Sequence, residues 1–90
     1  MASGNQEKEW SLYLLRCGDG SLYCGISDDV SRRFAAHQAG KGAKYTRGRG
    51  PLELMYQEVC GSHSDALKRE YQIKKLTRQQ KTALIKAAKK

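Results

Sequence analysis

Glu70 is the side chain whose placement most plainly asks for a chemical explanation. In the stretch that reads as a helix after residue 62, Ala66, Glu70 and Ile73 recur at i, i+4 and i+7, with Leu67 on the same arc. That spacing sets a carboxylate in an apolar face. Burying it costs free energy unless a cation, a metal or several donors meet it, so its position suggests use. The plainer alternative is a partly exposed glutamate paired with a lysine at the rim. Tyr13 and Tyr23 fall on one face of a predicted hairpin, where two tyrosines taken alone read as cross-strand packing. His37 alone reads as a satisfied histidine at the core edge, and the basic stretch around Lys41–Arg49 alone reads as a solvated loop. Their occurrence together points to a site.

The elements that must position these residues follow from pattern. WSLYLLRC over residues 10–17 and SLYCGI over residues 21–26 read as strands, joined by Gly18-Asp19-Gly20, a three-residue link that closes a hairpin. That link sets Leu15 opposite Tyr23 and Tyr13 opposite Gly25, so the two tyrosines share a face diagonally and Gly25 leaves space beside Tyr13. Ser27-Asp28-Asp29 supplies an N-cap for a helix from Val30 to Ala39, ending near Gly40. On it Val30, Phe34 and His37 form the inward stripe, Arg33 lies at the margin and Arg32 points nearly opposite, into solvent. Residues 38–51 are glycine-rich and basic around Tyr45 and read as a loop. No glycine lies five residues before a Gly-Lys-Ser/Thr, which excludes a nucleotide-triphosphate loop.

LELMYQEV, residues 52–59, reads as a third strand. Ser62 or Ser64 caps a helix to about Leu76, and Thr77 with Gln80 forms a capping box for a last helix to about Ala88. The reading is an α/β fold, a small three-stranded antiparallel sheet flanked by three helices in the order ββαβαα. It forms one domain over residues 10–88 behind a flexible lead-in, residues 1–9.

Seventeen Lys+Arg against nine Asp+Glu give a net charge of +8 on 90 residues. The surplus is segregated: residues 40–50 carry Lys41, Lys44, Arg47 and Arg49 without an acid, and residues 68–90 carry nine bases, Lys74 and Lys75 among them, against Glu70 alone. A polyanionic partner is implied, with these residues and Tyr45 as its contacts. Three cysteines without paired spacing suggest neither a disulfide framework nor a structural zinc site, and fit a reducing, cytoplasmic setting. No stretch has the apolar length of a signal peptide or a membrane span, so no membrane partner is expected.

Ser11-Leu12-Tyr13 followed by Tyr23-Cys24-Gly25 resembles the paired triplets of the GIY-YIG endonuclease superfamily. In that family an arginine follows the second tyrosine by ten residues, with an aromatic or histidine four later; Arg33 and His37 stand there. A helix glutamate follows, where Glu70 stands. The likeness covers about residues 10–76 and is nearest to the small stand-alone bacterial members of the YhbQ type. Ser11, Leu12 and Cys24 depart from the triplets, and no asparagine follows Glu70.

The resemblance implies a metal-dependent endonuclease cutting phosphodiester bonds in nucleic acid, DNA ahead of RNA, in the setting of DNA repair or recombination. It implies that Tyr23 helps deprotonate the attacking water and Tyr13 positions it. By the same resemblance Arg33 clamps the phosphate, Glu70 holds Mg²⁺ or Mn²⁺, and His37 orients neighbours or contacts the phosphate. A domain this small lacks an obvious specificity module and could need a protein partner to choose its substrate. Two rivals stand beside this reading: a non-catalytic nucleic-acid-binding module of the same fold, and a basic RNA- or ribosome-associated protein.

Overall fold

The computed structural model describes residues 9–88, so the expected lead-in lies outside the described residues apart from Glu9. Strands β1 (Trp10–Arg16) and β2 (Leu22–Ser27) form the expected hairpin, followed by helix α1 (Val30–Gln38), strand β3 (Glu53–Gly61) and helices α2 (His63–Lys74) and α3 (Arg78–Ala88). The sheet is antiparallel in the order β2-β1-β3. Tyr13 pairs with Gly25 and Leu15 with Tyr23, the register that the three-residue link dictates. Within that link Asp19 accepts from the Ser21 N–H and hydroxyl, and Gly20 takes φ +88°, the left-handed region that favours glycine.

β1 is the central strand, and residues 11–15 are buried throughout. Its alternation splits the core in two. Leu12 and Leu14 face α2 and α3, packing with Cys24, Ile73 and Ile85, while Tyr13 and Leu15 face α1 and pack with Cys17, Val30 and Leu52. A strand covered on both faces reads as a near-continuous apolar run, which is what WSLYLL is.

Local capping explains where the helices begin. Asp29 accepts from the Arg32 N–H at the start of α1. Ser62 and Asp65 form a reciprocal capping box at α2, so Ser62 and not Ser64 is the cap. Thr77 and Gln80 do the same at α3. Past α1, Gly40 adopts φ +79° and the chain turns away. The 38–51 segment departs from a plain loop: Lys44–Thr46 form a short 3₁₀ turn, and Gly42 and Thr46 are buried. This segment is also tied to the hairpin, since the Gly18 N–H donates to the Arg49 carbonyl at 2.5 Å and Arg49 pairs with Asp19 at 2.6 Å.

Candidate active site

The hairpin brings Tyr13 and Tyr23 together on the α1 side of the sheet, ring centroids 6.4 Å apart. Tyr13 is 1% exposed. Its phenol lies over Gly25, where a Cβ would come within 2.5 Å of Tyr13 Oη. The space expected beside Tyr13 is therefore filled by the hydroxyl of Tyr13 itself, which is why the position opposite must be glycine.

α1 presents His37 to the tyrosines. His37 Nε2 is 2.8 Å from Tyr13 Oη, and its ring meets that of Tyr23 edge-on at 5.4 Å. His37 is 1% exposed, so it reaches neighbouring side chains and not a phosphate in solvent. Arg33, one turn earlier, is exposed, yet its charge acts on Tyr13, Tyr23 and His37. Arg32 is exposed, as the helix phase suggests, and lines one open groove together with Arg33, Ser27, Asp28, Asp29 and Ala36. What separates them is that only the charge of Arg33 is felt by the tyrosine–histidine cluster.

Burial sets the protonation of this cluster. It pushes Tyr13 up to about 12, reinforced by Tyr23 and opposed by Arg33. Tyr23, less buried, is raised by the same cause, while Arg33 and Lys74 pull it down and Glu70 pushes it up. Burial, with the nearby Arg33 charge, lowers His37. At neutral pH the cluster therefore consists of two phenols and a neutral imidazole.

Glu70 approaches from α2, near enough for its charge to act on Tyr23 and Cys24. It is not sealed in the apolar face. Its side chain is 21% exposed, and Oε2 lies 3.3 Å from Lys74 Nζ, one helical turn on. Ala66 and Ile73 are buried as the spacing requires, but Leu67 is 46% exposed and does not belong to the inward arc. Glu70 thus stands at the rim, where a pair of this kind stabilises by only about 0.3–0.5 kcal/mol.

Glu70 fits a hard divalent cation on donor chemistry: it offers carboxylate oxygen on a partly open flank. Among the described residues no group of three or more His, Cys, Asp or Glu could cage a metal. A lone carboxylate suits Mg²⁺ or Mn²⁺, which keep several waters and take further oxygens from a phosphate.

The basic loop divides in two. Lys41, Lys44 and Arg47 are exposed. Tyr45, 42% exposed, stacks on Tyr23 with centroids 5.7 Å apart, and the Arg49 guanidinium lies 4.3 Å from the centre of the Tyr45 ring. Tyr45 and Arg49 are therefore turned toward the site and the hairpin. Lys74 is engaged by Glu70, and Lys75 lies over the Tyr71 ring at 4.2 Å. Sequence reasoning missed Thr46, whose hydroxyl lies 3.0 Å from His37 Nδ1. A glycine-rich stretch has no periodicity that could flag a buried hydroxyl.

Residues 9–83 match the family model of the GIY-YIG catalytic domain. The chain is 56% identical over 78 residues to a UPF0213 protein of Cronobacter sakazakii, covering 87% of this chain and 82% of that one. It is 55% identical over 74 residues to one of Staphylococcus epidermidis, covering 82% and 90%. Two solution NMR structures are similar. A UPF0213 protein of Bacillus halodurans has 44% identity and a TM-score of 0.57 over 88% of this chain and 84% of that one. A protein of E. faecalis has 40% identity and a TM-score of 0.62 over 90% and 86%.

Proposed function

The chain belongs to the GIY-YIG catalytic-domain family, a nuclease-type family, and from that premise we propose that it is a divalent-metal-dependent endonuclease acting on DNA. The observation that carries the reading is the meeting of Tyr13, Tyr23, His37 and Arg33 on one side of the sheet, with Glu70 close enough to act on Tyr23. Phosphodiester hydrolysis needs an oriented water, positive charge at the phosphoryl oxygens and stabilisation of the leaving alkoxide.

Arg33, exposed and charged, binds and orients the phosphate. Tyr23, the less buried phenol, faces the reacting water, and the cations Arg33 and Lys74 favour its deprotonated form. Tyr13, held by His37, orients Tyr23 and the water from behind. Glu70 holds the Mg²⁺ or Mn²⁺ ion, which when bound supplies charge neutralisation at the phosphoryl oxygens. Lys41, Lys44 and Arg47 bind the backbone of the nucleic acid, which supports shape recognition and leaves room for a protein partner in substrate choice. DNA repair or recombination in the cytoplasm is the setting this reading favours. Among the described residues no helix is long and apolar enough to cross a membrane.

A second reading, a binding module without useful cleavage, draws on two observations: Glu70 is already paired with Lys74, and both phenols are held protonated. A cleavage panel separates the two. Purified protein is incubated with Mg²⁺, Mn²⁺ or chelator on single strands, duplexes, flaps and junctions of DNA and RNA. Cleavage of DNA that stops with chelator supports the enzyme; binding without cleavage of any substrate supports the module.

A further inference from the structure

His37 sits in a closed polar pocket formed by the loop after α1. Thr46 is 2% exposed, and the Gly42 backbone packs so closely that a Cβ there would run into the imidazole ring. Nδ1 lies 3.2 Å from the Ala43 nitrogen and 3.0 Å from Thr46 Oγ1, while Nε2 lies 2.8 Å from Tyr13 Oη. A backbone N–H can only donate, so Nδ1 must accept, and the one proton of a neutral imidazole is left on Nε2. There it is donated to Tyr13 Oη. Thr46 closes the arrangement: its one hydroxyl proton is shared between Nδ1 at 3.0 Å and the Ala43 carbonyl at 2.9 Å, and its N–H donates to the same carbonyl at 3.1 Å, which holds the Ala43 N–H on the ring.

We propose that residues 42–46 are a positioning device that locks His37 in the neutral Nε2–H tautomer as a fixed donor to Tyr13, with Thr46 as its key side chain. A second proton would have to sit on Nδ1 against the Ala43 N–H and would displace the Thr46 hydroxyl proton from that nitrogen. The charged group acting on the ring is Arg33 of α1, which opposes a positive imidazole, and the sheet contributes only the phenols of Tyr13 and Tyr23. His37 therefore orients a phenol and does not shuttle protons.

The tautomer rests on this geometry alone; its effect on cleavage rests on the endonuclease reading. The test is long-range ¹H–¹⁵N NMR of the full chain, which has two histidines, with the exposed His63 as the in-sample reference. His37 is expected to show a bare Nδ1 and a protonated Nε2, unchanged between about pH 6 and 8. Thr46→Val should mix the tautomers and lower kcat on the order of ten- to a hundredfold with KM unchanged. Thr46→Ser should restore both the ring signals and kcat. An Nδ1–H ring in the parent protein, or Thr46→Val with parental ring signals, overturns the proposal. If the parent shows the expected ring signals but cleaves nothing, the tautomer lock stands and the endonuclease reading falls.

Discussion

The two flanks of the site are built by different means. On the α1 side His37 and Thr46 are buried, no buried side-chain nitrogen or oxygen among the described residues lacks a partner, and the Ala43 amide donates to the imidazole. On the α2 side Glu70 stands at the rim, partly exposed and paired with a lysine whose own side chain is 55% exposed. The first flank is preorganised, because moving any member would strand a buried donor or acceptor. The second is adjustable, because an exposed i, i+4 pair is cheap to open. Under the proposed function, a site admitting a cation and a phosphate would gain from having its adaptable half where those groups arrive and its rigid half behind the phenols.

The largest expected effect tests the member that links the flanks to substrate. Arg33→Ala should lower cleavage by about 10²–10³-fold, the scale for loss of one preorganised charge-stabilising donor. Arg32→Ala, in the same groove, should change it only a few-fold. Equal losses in two folded variants, measured by steady-state kinetics, would remove the distinction between the two arginines.

Rigidity of the α1 flank is probed next by Gly42→Ala, whose added methyl collides with the His37 ring. Overpacking of that kind should cost about 1–3 kcal/mol in denaturant unfolding. Glu70→Gln should leave stability within about 0.5 kcal/mol, as for an exposed position. A Gly42→Ala protein as stable as its parent would mean that the pocket is not tightly built.

Smaller still is the contrast inside the basic loop. If Lys41, Lys44 and Arg47 meet phosphates, neutralising one should reduce the salt slope of DNA binding by about 0.7–0.9 per lost contact. Arg49, already committed to Asp19 and Tyr45, should alter that slope less and stability more.

The least effect concerns pH. His37 is lowered from 6.5 in the folded chain, so its contribution to stability is present above 6.5 and is lost as pH falls through the folded value. The Tm gap between the parent and His37→Gln should therefore narrow from about pH 7 to about pH 5. The difference cancels carboxylates such as Asp19, Glu58 and Asp65, which titrate in both proteins. A gap that stays constant or widens would contradict a buried neutral imidazole.

Much of this arrangement is legible in the residues. Gly18-Asp19-Gly20 fixes the hairpin register, and that register alone sets Tyr13 over Gly25 and Tyr23 on the same face. The capping pairs Ser62–Asp65 and Thr77–Gln80 mark helix starts because their reciprocal bonds are local. Helical spacing puts Glu70 and Leu67 on the apolar arc but does not decide between burial and the rim, because periodicity gives a residue's angle about the helix axis but not its depth. Arg32 is exposed as its phase implies, yet it shares a groove with Arg33, because exposure near a helix start depends on what the neighbouring loop leaves open. The His37 pocket was illegible, since its key donor is a main-chain amide that carries no sequence signal.

Glu70→Gln, assayed beside its parent for both cleavage and Mn²⁺ binding at limiting metal, tests the central claim most directly. The amide keeps the shape of the side chain and removes the charge that a hard cation needs. The expected result is loss of metal-dependent cleavage and of Mn²⁺ binding, with the fold and DNA affinity retained. A Glu70→Gln protein that binds Mn²⁺ and cleaves as its parent does would contradict the account and place the metal on another residue.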